Sequence, residues 1–425
     1  MEIHVVQPGD SLYRIAQMHG TSLPFLIAQN DLHEPFRLTP GQTIVIPQPV
    51  RTYTVRRGDT LTAIAAREGM TVLQLLQNNP QLGGQEQIRP GQPLVLSYGN
   101  KLGTFAVNGY AYPGIDVRVL RRTLPYLTYL SVFSYGFDET GRILPQQAGQ
   151  LTRLARQYGV QPLLVLTTLG EDGAFSSERA HRLLHDPAAR RGLLDSLQQM
   201  LSAQGFAGVD VDFEYIPPED AAAYASFIRE VRARLEPEGL TVLVALAPKT
   251  SAAQQGLLYE AHDYRALGAA ADLALLMTYE WGYALSEPMA VAPIDKVAQV
   301  VRFAASVIPP EKLLLGIPNY GYDWTLPYIK GQSRARSLGN VQAVEQAVQV
   351  GAPIGFDDTA QSPYYHYWRD HAEHAVWFED ARSIRAKLML AGEYRLHGIS
   401  VWNIMRYFPQ LWLVLNTQYE IVKRG

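Results

Sequence analysis

The sequence contains no cysteine among its 425 residues. Disulfides, thiolate metal sites and cysteine nucleophiles are therefore excluded, and the fold must be held together by packing. Neither sign of charge dominates, because 37 Lys and Arg residues stand against 40 Asp and Glu residues. The resulting net charge of -3 gives no reason to expect a nucleic-acid partner.

Long apolar runs are also missing. No stretch reaches the roughly 18 consecutive apolar residues that a membrane-spanning helix needs, so we expect no membrane span. The N-terminus reads Met-Glu-Ile-His-Val-Val-Gln-Pro-Gly-Asp and lacks the basic and apolar segments of a secretory signal peptide. We expect that the protein is used without the general secretory route, or that the chain has been trimmed.

The first hundred residues contain an internal repeat. The segment from Val6 to Ala16 matches the segment from Val55 to Ala65, so that Gly9 corresponds to Gly58, 49 residues later. Such a repeat predicts two small modules in tandem. In each module a short β-like run precedes Gly-Asp-Ser/Thr, two helical stretches follow, and Pro-Gly-Gln leads into a closing strand. The predicted order is β-α-α-β.

These repeats resemble the LysM family, and the resemblance covers residues 2–48 and 51–97. It implies binding of glycans that contain N-acetylglucosamine, such as peptidoglycan or chitin. A purely structural repeat that binds nothing is the alternative. The residues that we expect to contribute to glycan binding are Gly9, Asp10, Ser11, Gly58, Asp59 and Thr60.

From residue 103 onward, apolar strand-like runs alternate with helical segments. Eight such strands predict an α/β fold, a (β/α)8 TIM barrel spanning residues 103–425. A long interval before the last strand, at about residues 324–395, predicts a small inserted α+β subdomain. The predicted strands are Thr104–Val107, Tyr129–Phe133, Pro162–Leu166, Gly208–Phe213, Thr241–Ala245, Leu273–Met277, Leu313–Ile317 and Gly398–Trp402.

The fourth predicted strand carries Asp210, Asp212 and Glu214, which alternate with apolar residues. Because successive side chains of a strand point to opposite faces, these three acids share one face. Neighbouring carboxylates on a buried strand are unfavourable through desolvation and repulsion, which indicates an active site. An exposed edge strand with a solvated acidic face is the alternative interpretation.

Polar and aromatic residues follow several other strands at the end where TIM barrels hold their catalytic groups. Because these ends converge, we predict that their side chains contribute to one substrate pocket. The candidates are Tyr110, Met277, Tyr279, Glu280, Asn319, Tyr320 and Trp402.

The acid-bearing strand, the segment Met277–Glu280 and Trp402 together resemble glycoside hydrolase family 18. The family motif is Asp-Gly-x-Asp-x-Asp-x-Glu, and residues 207–214 keep all of it except the first Asp, which is Ala207 here. The resemblance implies a retaining reaction in which the acetamido group of the substrate is the nucleophile.

The resemblance also implies a role for each residue of the motif. Glu214 would protonate the glycosidic oxygen, with its pKa raised by the charge of Asp212. Asp212 would orient the acetamido group, and Asp210 would tune Asp212. Tyr279 would hydrogen-bond the acetamido oxygen, and Trp402 would form the apolar floor of the sugar site.

LysM modules ahead of such a barrel, with Asp-Phe-Glu-Tyr at the acid, resemble the cortical-fragment-lytic N-acetylglucosaminidases of endospore-forming bacteria. This resemblance implies spore cortex peptidoglycan, rich in muramic-δ-lactam, as the substrate and the spore coat or cortex as the location. Spore coat proteins would be possible partners. A chitinase, or a catalytically inactive glycan-binding protein, is the alternative.

No cofactor and no metal are expected. The chain has no phosphate-binding glycine loop, and it lacks the carboxylate-histidine pattern of a metalloprotease. His366, His371 and His374 lie close together in sequence, but we assign them to surface or glycan contacts rather than to a metal site.

Overall fold

The computed structural model describes residues 1–34, 36–169 and 173–423. Two small modules come first, and each consists of two antiparallel strands with two helices between them. The elements of the first module are β1 (Glu2–Val5), α1 (Leu12–Met18), α2 (Leu23–Asn30) and β2 (Thr43–Ile46). Those of the second are β3 (Pro49–Thr54), α3 (Leu61–Glu68), α4 (Val72–Asn78) and β4 (Pro93–Tyr98). The predicted β-α-α-β order is confirmed.

The repeated Gly-Asp-Ser/Thr segments explain how each module starts its first helix. Ser11 and Thr60 are the N-caps of α1 and α3, and each side chain accepts a hydrogen bond from the backbone amide three residues later. Gly9 and Gly58 adopt φ values of 87° and 89°, a conformation that glycine takes without strain.

Eight parallel strands then form a closed barrel in which the last strand pairs with the first. This confirms the predicted TIM barrel. The barrel strands are β5 (Gly103–Ala111), β6 (Tyr129–Tyr135), β7 (Gln161–Thr167), β8 (Gly208–Asp212), β9 (Thr241–Leu246), β10 (Leu273–Leu276), β11 (Leu313–Pro318) and, after the insertion, β17 (Gly398–Trp402).

Helices surround the barrel, and their apolar faces pack against the outer side of the strands. They are α5 (Val117–Thr123), α6 (Gly149–Gln157), α7 (Ser177–His185), α8 (Pro187–Gln204), α9 (Ala221–Leu235), α10 (Tyr264–Ala270), α11 (Ile294–Val307), α13 (Ala381–Glu393) and α14 (Pro409–Gln418). A short strand, β18 (Tyr419–Ile421), pairs with the start of β5.

The insertion between β11 and β17 is a five-stranded antiparallel sheet with one helix. Its elements are β12 (Gly321–Thr325), β13 (Arg336–Leu338), α12 (Asn340–Val350), β14 (Gly355–Asp357), β15 (Ser362–Arg369) and β16 (Ala372–Trp377). We expected the insertion at about residues 324–395, but its sheet begins at Gly321 and α13 contacts the barrel strands β11 and β17. The predicted end of the barrel at residue 425 lies outside the described residues.

Both N-terminal modules pack against the barrel. In the first module, Arg382 of α13 donates to the Gly41 carbonyl at 3.2 Å, and the Thr39 hydroxyl donates to the carbonyl of Ala352 in the insertion at 2.8 Å. In the second, the Gln77 amide donates to the Pro125 carbonyl at 2.8 Å. The modules are therefore fixed to the barrel by polar contacts at several points.

Candidate active site

The acids of β8 line the inside of the barrel. Asp210 and Asp212 are buried, whereas the intervening Val209 and Val211 belong to the outer apolar layer between strands and helices. Glu214 follows the strand and is partly exposed at its carboxyl end. The predicted alternation is therefore observed, and the edge-strand alternative is wrong because β8 pairs on both sides with β7 and β9.

Ala207, where the family motif has its first Asp, lies just before β8. Its amide donates to the Pro162 carbonyl, and its own carbonyl accepts from the Thr241 amide, so the ladder of the barrel continues through it. Because side chains alternate along a strand, the side chain of Ala207 points outward like that of Val209, to the face opposite Asp210. The substitution thus leaves the inward row of acids intact.

Burial raises the pKa of all three acids. The pKa of Asp210 rises to about 7, although interactions with the Tyr110 and Ser131 hydroxyls act in the opposite direction. Burial, followed by the charges of Glu214 and Asp210, raises the pKa of Asp212 well above its usual range. The row therefore retains protons at a pH where ordinary carboxyl groups have lost them.

The pKa of Glu214 is raised from 4.5 to about 7 by burial and then by the charge of Glu280. We expected the charge of Asp212 to have this effect. The charges of Glu214 and Asp212 do interact, since that of Glu214 raises the pKa of Asp212. Glu280, which follows the sixth barrel strand, adds another neighbouring charge to Glu214. A carboxylic acid with a pKa near neutral pH is suited to general acid catalysis.

Hydrogen bonds from Ser131 and His262 hold Asp210 and the segment that carries Glu214. The Ser131 hydroxyl donates to Asp210 Oδ2 at 2.8 Å. Buried His262 accepts from the Ala247 amide at 2.9 Å through Nδ1, and Nε2 donates to the Phe213 carbonyl at 3.1 Å. Ser131 and His262 were not predicted as site residues, because no local sequence pattern connects either of them with β8.

Asp210 and Asp212 each have a buried Oδ1 atom without a hydrogen-bond partner among the residues that the structure describes. Asp212 is the last residue of the strand and therefore lies nearer to the open end of the barrel. A buried polar atom without a partner is unfavourable, and its presence in a functional site is explained when a substrate group supplies the partner. Asp212 is therefore able to accept a hydrogen bond from a bound molecule.

The predicted aromatic residues meet at the same end of the barrel. The Trp402 ring contacts those of Tyr110 and Phe133 edge-on, with centroids 5.2 and 5.0 Å apart. Met277 packs against the same internal cluster. Tyr279 is partly buried, and its pKa is raised well above the usual value by burial and then by the charges of Asp212 and Glu214.

Glu280, Tyr320 and Asn319 take different positions. The Tyr320 and Tyr322 hydroxyls donate to Glu280 Oε1 at 2.9 and 3.2 Å, which fixes this exposed carboxylate beside the acid. The Asn319 amide donates to the carbonyls of Asn403 and Arg406, both at 2.9 Å. Asn319 is thus engaged with the loop after β17, and its amide protons are not directed to the pocket.

The candidate glycan residues of the modules shape a turn. Asp10 accepts from the Gln7 amide at 2.8 Å and contacts His4, and Asp59 accepts from the Tyr53 hydroxyl at 2.6 Å and the Arg56 amide at 2.7 Å. These contacts give both acids a structural role in the described geometry.

The histidines that the sequence analysis assigned to surface or glycan contacts do not share one centre. His366 contacts Glu373 and His374 contacts Asp323, at 3.0 and 2.9 Å. Two of them therefore have separate carboxylate partners in the inserted sheet.

A closed α/β barrel with proton-retaining acids at the carboxyl end of its strands is suited to acid-catalysed hydrolysis, and comparison with known proteins identifies the class as glycoside hydrolase. The profile of glycosyl hydrolases family 18 matches residues 121–406, and that of the LysM domain matches residues 4–47 and 53–97. The chain belongs to glycosyl hydrolase family 18 and carries two N-terminal LysM domains. The predictions of a glycoside hydrolase and of LysM modules are confirmed.

Relatives of known name extend over the whole chain. It is 41% identical to the cortical fragment-lytic enzyme of Bacillus subtilis, with 100% of this chain and 99% of that protein covered. It is 34% identical to the protein of the same name from Bacillus anthracis, with 100% of both covered. The crystal structure of the Bacillus cereus spore cortex-lytic enzyme SleL matches with a TM-score of 0.85 and 34% identity, covering 100% of this chain and 99% of that one.

No described helix combines the length and the hydropathy that crossing a membrane requires.

Proposed function

We propose that this protein is an N-acetylglucosaminidase that hydrolyses spore cortex peptidoglycan, including fragments with muramic-δ-lactam, during germination. The full-length similarity to proteins named cortical fragment-lytic enzymes supports this substrate. The single structural observation that carries the reaction is the inward row of Asp210, Asp212 and Glu214 with raised pKa values. Spore cortex as substrate also supports a location in the spore coat or cortex, with coat proteins as possible neighbours.

In the first step, Glu214 donates its proton to the glycosidic oxygen as the bond from that oxygen to the anomeric carbon breaks. The acetamido oxygen of the same sugar attacks the anomeric carbon and forms a cyclic oxazolinium ion, so no protein nucleophile is needed. The pKa of about 7 keeps a large share of Glu214 protonated near neutral pH, which supports its role as the acid.

In the second step, water attacks the anomeric carbon and gives up a proton to the Glu214 carboxylate. The oxazolinium ring opens, and the configuration is retained after two inversions. Each cycle thus returns Glu214 to its protonated form and releases a new reducing end.

Asp212 orients the acetamido group through its open oxygen, which accepts the acetamido N–H. Its charge then stabilises the positive oxazolinium ion, and Asp210 adjusts the proton held by Asp212. Tyr279 donates to the acetamido oxygen, and Trp402 supports the apolar face of the sugar. Tyr110, Met277, Glu280 and Tyr320 complete the pocket, whereas Asn319 holds the loop after β17.

The two LysM modules hold the enzyme on its polymer through the surface near the Gly-Asp-Ser/Thr turns. Gly9, Asp10, Ser11, Gly58, Asp59 and Thr60 shape these turns, so their contribution to glycan binding is through the backbone that they position. Two linked sites on one polymer raise the overall affinity through effective concentration.

The test is mass spectrometry of the products from spore cortex peptidoglycan and, separately, from chitin oligomers. Glu214→Gln should reduce cleavage of cortex at least about 100-fold while glycan binding persists, because the side chain keeps its shape and loses its transferable proton. Glu219→Gln, an exposed acid five residues further on, is the matched control and should retain activity.

Fragments that end in a reducing N-acetylglucosamine support the proposal. Cleavage of chitin alone would move the assignment to a chitinase. Binding without cleavage of either polymer would favour a glycan-binding protein, and an active Glu214→Gln variant would contradict the assignment of the acid.

A further inference from the structure

Two histidines and a buried aspartate form a cluster outside the pocket. His181 and His185 stand four residues apart on α7, which places them on one face of the helix. Asp220 precedes α9, and its side chain is only 1% exposed. Its Oδ2 lies 2.8 Å from His181 Nδ1, and its Oδ1 lies 2.7 Å from His185 Nε2.

The three groups offer one ligand atom each, and these atoms all lie within 4.8 Å of one another. In the part of the chain that the structure describes, no other group of His, Asp and Glu side chains meets this condition. Zn²⁺ binds imidazole nitrogens and carboxylate oxygens at about 2.0–2.2 Å in tetrahedral sites.

The chemistry of the ligands points to a particular class of ion. Imidazole nitrogens suit Zn²⁺, Co²⁺ and Ni²⁺, whereas Ca²⁺ and Mg²⁺ prefer sets made of oxygen atoms. The two imidazoles are 52% and 53% exposed, so an ion could enter from solvent and keep a water molecule as its fourth ligand. The buried carboxylate supplies negative charge at the base of the site.

We propose that His181, His185 and Asp220 form a binding site for a divalent transition-metal ion such as Zn²⁺. No metal was expected from the sequence, which lacks the carboxylate-histidine pattern of a metalloprotease. In the proposed site the carboxylate lies on a different element from the two histidines. The site is separate from the acids of β8, and it would give the protein a metal-binding property in addition to glycan hydrolysis.

The position of this site gives the ion a mechanical role. The Ser177 hydroxyl at the start of α7 donates to the carbonyl of Tyr215 at 2.6 Å, next to the acid Glu214. Asp220 ends the segment that runs from Glu214 to α9. An ion bound by both elements would therefore fasten α7 to the segment that carries the acid.

The simpler alternative is that the imidazoles only donate hydrogen bonds to Asp220. In that arrangement the nitrogens facing the carboxylate carry protons, whereas metal binding requires their lone pairs. The two states are therefore distinguished by adding a metal ion and measuring its binding.

The experiment uses the full-length protein after treatment with a chelator and dialysis. Zn²⁺ is titrated by calorimetry, and Co²⁺ by its visible absorption. We expect one ion per chain with a dissociation constant in the micromolar range or below. Zn²⁺ should also raise the melting temperature by at least about 2 °C.

The double variant His181→Gln/His185→Gln should weaken Zn²⁺ binding at least about 100-fold and remove the thermal shift. His366→Gln is the matched control, because it removes another exposed histidine that contacts a carboxylate. The double variant changes only half-exposed side chains, and circular dichroism checks that it is folded. Asp220→Asn, which keeps the size of the side chain, should also weaken binding.

The proposal is overturned if the wild-type protein binds Zn²⁺ no more tightly than millimolar. It is also overturned if the double variant binds with unchanged affinity, since the ion would then be held elsewhere. An effect of His366→Gln equal to that of the double variant would likewise contradict it.

Discussion

Replacing Glu280 with glutamine should lower the pKa of Glu214. Activity should then be lost at a lower pH on the alkaline side of the pH profile. The charge of Glu280 is the second cause of the raised pKa of Glu214, after burial. Glutamine keeps an acceptor oxygen for the Tyr320 and Tyr322 hydroxyls, so the local geometry should persist. The substitution therefore isolates the charge.

The magnitude follows from the pKa of Glu214 itself. It lies at about 7 instead of 4.5, and burial is the larger cause of the difference. Glu280 accounts for less than half of that rise, so its removal should lower the pKa of Glu214 by up to about 1 pH unit. Because Glu280 is exposed, salt should screen its charge and reduce the effect.

The assay is the pH dependence of kcat/KM on cortex fragments, whose alkaline limb reports the acid of the free enzyme. In wild type, activity should fall as the pH rises through about 7. In Glu280→Gln the fall should begin at lower pH, and the difference between the two proteins should shrink in 1 M salt. Glu219→Gln serves as the control.

An unchanged alkaline limb in Glu280→Gln would refute the electrostatic argument. A limb displaced to higher pH would show that the substitution acts on burial rather than on charge. A loss of activity at every pH, with no displacement, would mean that Glu280 contacts the substrate instead of tuning the acid.

Two further predictions concern stability, measured by urea unfolding. His262→Leu should destabilise the fold by about 2–5 kcal/mol at pH 7, because the Phe213 carbonyl and the Ala247 amide lose their buried partner. Burial lowers the pKa of His262 to about 4, so between pH 7 and 5 the unfolded wild type gains a proton that the folded state excludes. The difference in unfolding free energy between wild type and His262→Leu should therefore narrow by about 2 kcal/mol over this range. A difference that stays constant would contradict this. Lys387→Met should cost about 3–5 kcal/mol, since it leaves Glu379 alone in a fully buried pair, and Glu379→Leu added to it should restore much of the loss.

The barrel was predictable because its strands are buried on both faces and therefore appear as continuous apolar runs. The segment Leu163–Leu166 is an example, since all four of its residues are fully buried. The inserted sheet was harder to predict. Its strand order depends on pairings such as Tyr322 with Trp377, which lie far apart in sequence and on strands with no distinctive local pattern.

The acids of the site were predictable for a similar local reason, since strand alternation alone places Asp210 and Asp212 on one face. Their environment was not. Glu280, whose charge helps to raise the pKa of Glu214, lies in the segment after the sixth barrel strand, far from Glu214 in sequence. Asn319 follows a barrel strand, and that position suggested a contact with substrate. Its side-chain amide instead donates to the carbonyls of Asn403 and Arg406, in a loop that only folding brings near.

The attachment of the LysM modules to the barrel limits which glycan strands would benefit from the proposed binding by the modules. Contacts such as Arg382 with Gly41 and Gln77 with Pro125 hold the modules against the barrel that carries the acids. If a flexible linker joined the modules to the barrel, the modules could bind a glycan strand at many different distances from the cleaved bond. With the modules held against the barrel, only glycan strands long enough to reach from a module to Glu214 can bind at both places. Shorter strands gain no affinity from the modules.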